Sequence, residues 1–273
     1  MRAKSRVGVV VFAVIVLGGL PAPTLASVEM QEAFQYPDGN LAGNGGWAAH
    51  MGAGLVPVQV VAEEARLEQG AGSREDVNKH FAAQPTDRKT YAAFMLQVPS
   101  ASSLPGADYF AHFRPVPPDT TLFRSRIYIG PVGGGDYTVG ISITSTGTSP
   151  VVNWGSALSF GNSYRIVSSY DPVTGTAELW VDPENESSTK ISSTHASAAG
   201  NSIDSYALRQ ATGTISTQII DNLVVGTTFG DVVPPNLPSL SGWGTLSLLS
   251  LLMMTGSAWM VRRWVSWCDS SRT

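Results

Sequence analysis

The chain has 273 residues, enough for one large domain or two small ones. Only 14% are charged, against an average of about 25%, and 28 glycines and 17 prolines punctuate it, a mixture that favours short strands and turns over long helices. With the basic residues of both ends and Asp269 set aside, Ser27 to Asn236 holds 11 basic against 20 acidic residues, a net charge of −9 that excludes a phosphate backbone as partner, and the single Cys268 excludes an intrachain disulfide.

The chain opens "MRAKSRVGVVVFAVIVLGGLPAPTLASVEM". Arg2, Lys4 and Arg6 precede an apolar run from Val7 to Leu20, Pro21 and Pro23 break it, and small residues lead to a cut after Ala26. This is the order of a secretory signal, so residues 1–26 are expected to form a signal-peptide helix read by the export translocon. The run is short for an anchor, which needs about 20 apolar residues.

From residue 27 to 231, period-two alternation recurs. In "LFRSRIYIG", Phe123, Ile127 and Ile129 oppose Arg124, Arg126 and Tyr128. In "DYTVGISIT", Tyr137, Val139, Ile141 and Ile143 share one face. "TYAAFMLQV", "YRIVSSY" and "TQIIDNLVVG" also read as strands, and a helical turn is expected only near Ala62 to Leu67. The sharpest unit is a hairpin: strand Tyr164–Tyr170, turn Asp171–Gly175, strand Thr176–Asp182. Pro172 pre-sets a turn dihedral and Gly175 accepts a positive φ. Leu179 and Val181 are expected to face the core, with Glu178, Trp180 and Asp182 facing away. Many strands, each with one apolar face, predict two packed sheets.

That hairpin, the opening "EAFQYPDGNLAGNGGW" and the closing "IIDNLVVGTTFGDV" resemble pieces of secreted bacterial laminin-G-like and concanavalin-like jelly rolls. The resemblance implies an all-β, two-sheet antiparallel jelly-roll sandwich. It also suggests a glycan ligand and, less directly, calcium held by Asp136, Asp171 or Asp182 at loop edges. Related glycosidases carry Glu-x-Asp-x-x-Glu on one strand. Here "ELWVDPENE" has the wrong spacing, with Glu178 and Asp182 four apart and Pro183 before Glu184 and Glu186. His50, His80, His112 and His195 form no short metal motif, there is no GxSxG elbow, and "GNGGW" and "GPVGGGDY" lack the context of a phosphate loop. His112 shares a predicted strand face with Phe110, which makes it a structural residue. The sequence thus names no catalytic set and leaves any metal unassigned. For a sugar, flat aromatic faces beside polar groups are required, and Trp180, Tyr128 and Trp154 are the first candidates, with Tyr109 behind them. Trp47, among glycines, reads as a core plug.

Residues 232–236 read as a linker. Then comes "LPSLSGWG", a mostly apolar run at 245–261, and Arg262 and Arg263 heading a basic tail at 262–273. The run suits a short transmembrane helix, Trp243 and Trp264 suit its interfaces, and the two arginines hold the tail in the cytoplasm. Residues 237–273 resemble the bacterial IPTL-CTERM sorting domain, in the order motif, membrane helix, basic cluster. Leu237, Pro238, Ser239, Leu240, Ser241, Trp243 and Gly244 carry the match, and Gly242 stands where that family has Glu. The resemblance implies transient anchoring in the inner membrane, recognition by an exosortase-like membrane sorting protease or transpeptidase, and transfer to the cell surface. The expectation is an exported, surface-sorted, non-enzymatic protein that binds glycan or extracellular matrix or builds the envelope. The alternative is a carbohydrate-active hydrolase or lyase of the jelly-roll superfamily.

Overall fold

The computed structural model describes residues 27–104, 106–116, 123–132, 136–144, 151–210 and 214–234. The signal segment at 1–26 and the sorting segment at 237–273 lie outside the described residues. The strands run in chain order as β1 (Val28–Glu32), β2 (Gly39–Asn40), β3 (Trp47–Met51), β4 (Gln59–Val61), β5 (Glu64–Glu68) and β6 (Asp76–His80). Next come β7 (Thr90–Gln97), β8 (Ala101–Ser103), β9 (Asp108–Pro115), β10 (Arg124–Gly130), β11 (Thr138–Ser142) and β12 (Val152–Asn153). The last are β13 (Ser163–Asp171), β14 (Thr176–Val181), β15 (Ile191–Thr194), β16 (Ile203–Leu208) and β17 (Ile215–Gly226), followed by one helical turn, α1 (Phe229–Val232). Among the described residues no helix is long and apolar enough to cross a membrane.

Two antiparallel sheets result. One runs β15-β14-β13-β7-β17-β5-β4-β2, with β1 and β8 also on β17, and the other runs β12-β11-β10-β9-β16-β6-β3. The residues that alternation turns inward fill the space between them. Tyr137, Val139, Ile141 and Ile143 are all fully buried there, with Phe94, Phe110, Ile127, Ile166, Leu179 and Leu208. The expected two-sheet sandwich is therefore the fold. The hairpin also forms as read: β13 pairs β14 in continuous register from Ile166↔Val181 to Asp171↔Thr176. Asp171 closes its turn by accepting from the Val173 N–H and the Thr174 hydroxyl. Gly175 has φ 64°, and a Cβ there would lie 2.5 Å from the His195 carbonyl oxygen, so the turn requires glycine.

Two local readings change. The segment near Ala62 to Leu67 is a hairpin and not a helical turn. Ala62 and Glu63 both take positive φ, and Ala65 and Leu67 point inward at period two. The second change is in β10. Its pairing to β9 shifts between Arg124↔Phe113 and Ile127↔Ala111, which makes Ser125, at φ 52°, an inserted residue. The inserted residue reverses the parity before it. Phe123, expected beside Ile127, instead meets Tyr109 and His112 on the outside. Arg124, expected outside, is buried and interacts with Tyr170.

The sheets are also joined through one carboxylate. Glu32 on β1 accepts from the Phe34 N–H at 2.7 Å, the Tyr36 hydroxyl at 2.9 Å, Trp47 Nε1 at 3.0 Å and Lys79 Nζ at 2.6 Å. β1 belongs to the larger sheet, while Trp47 and Lys79 stand on β3 and β6 of the smaller one. Burial pushes the Glu32 pKa up, but Lys79 and the other donors outweigh it and hold the group below its ordinary value. Trp47 is thus the core plug that was expected, pinned by its indole nitrogen.

A lowered acid contributes stability above its unfolded pKa and loses it as pH falls through the folded one. Glu32→Gln is expected to cost about 3 kcal/mol at pH 7, because it leaves Lys79 without its buried partner. Denaturant unfolding should show the gap between native and variant narrowing below pH 4.5, the ordinary value of the acid. A pH-independent gap would contradict the assignment.

Candidate functional site

The outer face of the seven-stranded sheet carries the chemistry. β9 and β10 are in register at Tyr109↔Tyr128 and again at Ala111↔Ile127, so Phe110 is an extra residue on β9. This bulge sends both Phe110 and Ala111 into the core and leaves Tyr109 and His112 on the outside. His112 therefore parts from Phe110, with which simple alternation had grouped it. The opposed bulge at Ser125 sets Phe123, Arg126 and Tyr128 against them. Neighbouring strands complete the face with His50 from β3, Asp76 and Asn78 from β6, and Arg209 just after β16.

Contacts bind these residues into one cluster. The Tyr109 and Tyr128 rings are 5.6 Å apart. The Arg126 guanidinium lies 5.0 Å from the Tyr109 ring centre and 5.4 Å from that of Tyr128, and the Arg209 guanidinium lies 4.0 Å from Tyr109. Tyr109 thus meets two cations. Arg209 donates to Asp108 at 2.9 Å and approaches Asp76 at 3.9 Å. Arg114 donates to the neutral Asn78 side chain at 2.7 Å. His112 packs 4.2 Å from the Phe123 ring centre and edge-on to His50 and Tyr109.

This face is unusual in what it leaves unpaired. Both ring nitrogens of His112, Nδ1 of His50 and Nε of Arg114 and Arg126 are buried without a hydrogen-bond partner among the described residues. Each such group costs about 1–3 kcal/mol, a penalty folds retain mainly at functional places. Burial, then the charges of His50 and the arginines, drive the His112 pKa well below its ordinary value. Burial and Arg114 bring His50 down to about 4 despite the hydrogen bond that its ring donates to the Asn78 side chain. Both imidazoles are neutral at pH 7. At one end of the face a cleft of about 300 Å³ opens between Met51, Leu55, Arg74, Asp76, Arg209 and Gln210.

The sequence-derived candidates separate. Tyr128 sits in the cluster beside Tyr109 and is 7% exposed, so Tyr109 is the more open of the two rings. Trp180 does turn to the outer face of its strand, but it belongs to the other sheet and is 0% exposed. Tyr91, Phe229, Val232 and Val233 cover it, and Lys190 Nζ stands 5.1 Å from its ring centre, so it offers no platform. Trp154 is partly buried against the main core. Glu178 pairs with Lys89 at 2.9 Å and Lys190 at 2.6 Å. Burial raises its pKa, but the two lysines outweigh that and hold it low, the reverse of what a general acid requires. Asp136, Asp171 and Asp182 each accept from a backbone N–H at a different turn, and no group of three metal-ligating side chains occurs among the described residues. Sequence reasoning did not single out Arg114, Arg126, Arg209 or Asp76. The outward pattern Arg126-Ile127-Tyr128 was a signal for one of them; the other three come together only through strand order.

No family model matches the chain, and no curated protein matches it. Among solved structures, a sialidase superposes with TM-score 0.51 at 14% identity, over 76% of this chain and 19% of the sialidase. The chain thus corresponds to less than a quarter of that protein, and the likeness concerns the fold alone. The CBM2 module of the evolved Dit of Lactobacillus casei BL23 phage J-1 gives 0.48 at 7% identity, covering 74% of this chain and 96% of the module. Peanut lectin gives 0.44 at 14% identity, covering 73% and 98%.

Burial pushes Asp76 up to about 6, against the opposing pull of the Gln210 N–H and Arg209. A raised acid favours the fold below its unfolded pKa, near 3.8, and that advantage is lost as pH rises through 6. Asp76→Asn should therefore gain on the native protein by on the order of 2 kcal/mol in unfolding free energy between about pH 4 and pH 7. Parallel stability profiles for the two proteins would contradict this.

Proposed function

We propose that the protein is an exported, surface-sorted β-sandwich without catalytic activity, and that the outer face of its seven-stranded sheet binds a saccharide. The observation that carries the reading is the Tyr109 ring beside Tyr128, with the Arg126 and Arg209 guanidiniums 5.0 and 4.0 Å from its centre. Sugar rings present C–H faces to aromatic surfaces and hydroxyls to polar groups, and this cluster supplies both. The Asp76–Arg209 cleft extends the track beyond one ring. The non-catalytic reading rests on the carboxylates nearest the cluster. Asp108 is paired with Arg209, Asp76 accepts from the Gln210 N–H, and Glu178 is held between two lysines beyond the opposite sheet.

The delivery part of the proposal rests on the two terminal resemblances. The translocon would take the chain out, cleavage after Ala26 would free the new N-terminus, and a membrane sorting enzyme would act at Leu237–Gly244. Mass spectrometry of the mature protein from its host should then find both ends missing and the middle at the surface or released. An intact C-terminus in the inner membrane would reject the sorting step.

For binding, an array of oligosaccharides should yield a ligand whose affinity falls about tenfold in Tyr109→Ala or Tyr128→Ala, with strand content unchanged by circular dichroism. Trp180→Phe should bind as the native protein does. Equal loss in Trp180→Phe and none in the tyrosine variants would place the ligand elsewhere.

A further inference from the structure

We infer that the saccharide taken by this face is acidic, and that Arg126 receives its carboxylate or sulfate group. The inference rests on the proposed binding face and adds the class of ligand. Arg126 is only 7% exposed, yet no carboxylate pairs with it among the described residues. A second cation, Arg209, acts on it; Arg126 also hydrogen-bonds the Tyr109 hydroxyl and lies beside the rings of Tyr109 and Tyr128. Its Nε has no hydrogen-bond partner among the described residues. Arg114, on the neighbouring strand β9, donates to a neutral amide and also has an unpartnered Nε.

This arrangement is not forced by composition. The folded part of the chain has nearly twice as many acidic as basic residues. Several of its cationic side chains do find a carboxylate: Lys79 meets Glu32, Lys89 and Lys190 meet Glu178, Arg66 meets Glu68 and Arg209 meets Asp108. A buried guanidinium whose Nε donor is free, in a chain rich in carboxylates, is suited to an anion from outside. The planar fork of arginine matches a carboxylate or a sulfate equally well. Tyr109 beside it would hold the ring that carries the anion.

The test is calorimetric titration of the native folded protein with two matched pairs. The first pair is hexagalacturonate and its carboxyl-reduced neutral form. The second is sulfated and unsulfated dextran hexamers. The inference expects at least one acidic member to bind about tenfold or more tightly than its neutral twin, with affinity falling as salt rises. Which pair shows the preference separates carboxylate from sulfate. Arg126→Gln should remove the preference, and Arg126→Lys, which keeps the charge but not the fork, should keep part of it. A neutral member binding as tightly as its acidic twin would overturn the inference and leave saccharide binding intact. Acidic binding unaffected in a folded Arg126→Gln would overturn the role of Arg126. No binding by any of the four, with native and variants folded, would count against both the inference and the reading beneath it.

Discussion

The site depends on two opposed β-bulges, one residue added to β9 at Phe110 and one to β10 at Ser125. Each alone would flip the parity of its strand and misalign it with its partner. Together they restore the register within a few residues. The side-chain parity of β10 is reversed before Ser125 and that of β9 before Ala111, while the two strands stay paired on both sides. Phe110 is buried with Ala111, Arg124 turns into the sandwich, and Tyr109, His112, Phe123, Arg126 and Tyr128 collect on the outside. A left-handed serine is a poor backbone choice for an ordinary strand, and its φ of 52° marks the place where the chain accepts local strain.

The two outer faces of the sandwich then meet different fates. On the ten-stranded sheet, Trp180, Tyr91 and Val167 are closed over by Phe229, Val232 and Val233 from α1 and its end. Phe229 packs edge-on to both Tyr91 and Trp180, at 6.0 and 5.4 Å between ring centres. Glu178, its lysines and Glu186 finish that face with paired charges. It is satisfied, and it ends where the chain continues toward Leu237. The seven-stranded sheet has the opposite character. Its outer face keeps buried nitrogens unpaired and a cation without a carboxylate among the described residues. One face is finished by the chain itself, and the other keeps buried donors that the described residues leave unpaired.

Much of this was legible in the sequence, for a simple reason. Where a strand has one apolar face and no inserted residue, period two assigns every side chain correctly, as it did from Tyr137 to Ile143 and through the β13–β14 hairpin. The errors have equally definite causes. Phe123 and Arg124 were assigned to the wrong faces because nothing in "FRSRIY" distinguishes a bulged serine from a regular one. Trp180 was correctly turned away from the main core, but alternation within β14 cannot reveal that α1 returns to cover it. The segment from Ala62 to Leu67 was misread because two non-glycine residues make its turn. Arg114, Arg126, Arg209 and Asp76 come from four strands or strand ends scattered between residues 76 and 209, and only the order β10-β9-β16-β6 assembles them.

The account's central claim is that ligand meets this protein on the outer face of the seven-stranded sheet. The most direct measurement is amide chemical-shift mapping by NMR as an acidic oligosaccharide is added to the folded domain. The account predicts shifts confined to β6, β9, β10 and the end of β16, largest around Tyr109, Arg126 and Arg209. Shifts that instead follow β13, β14 and α1, or that leave Tyr109 and Arg126 unmoved at saturation, would contradict it.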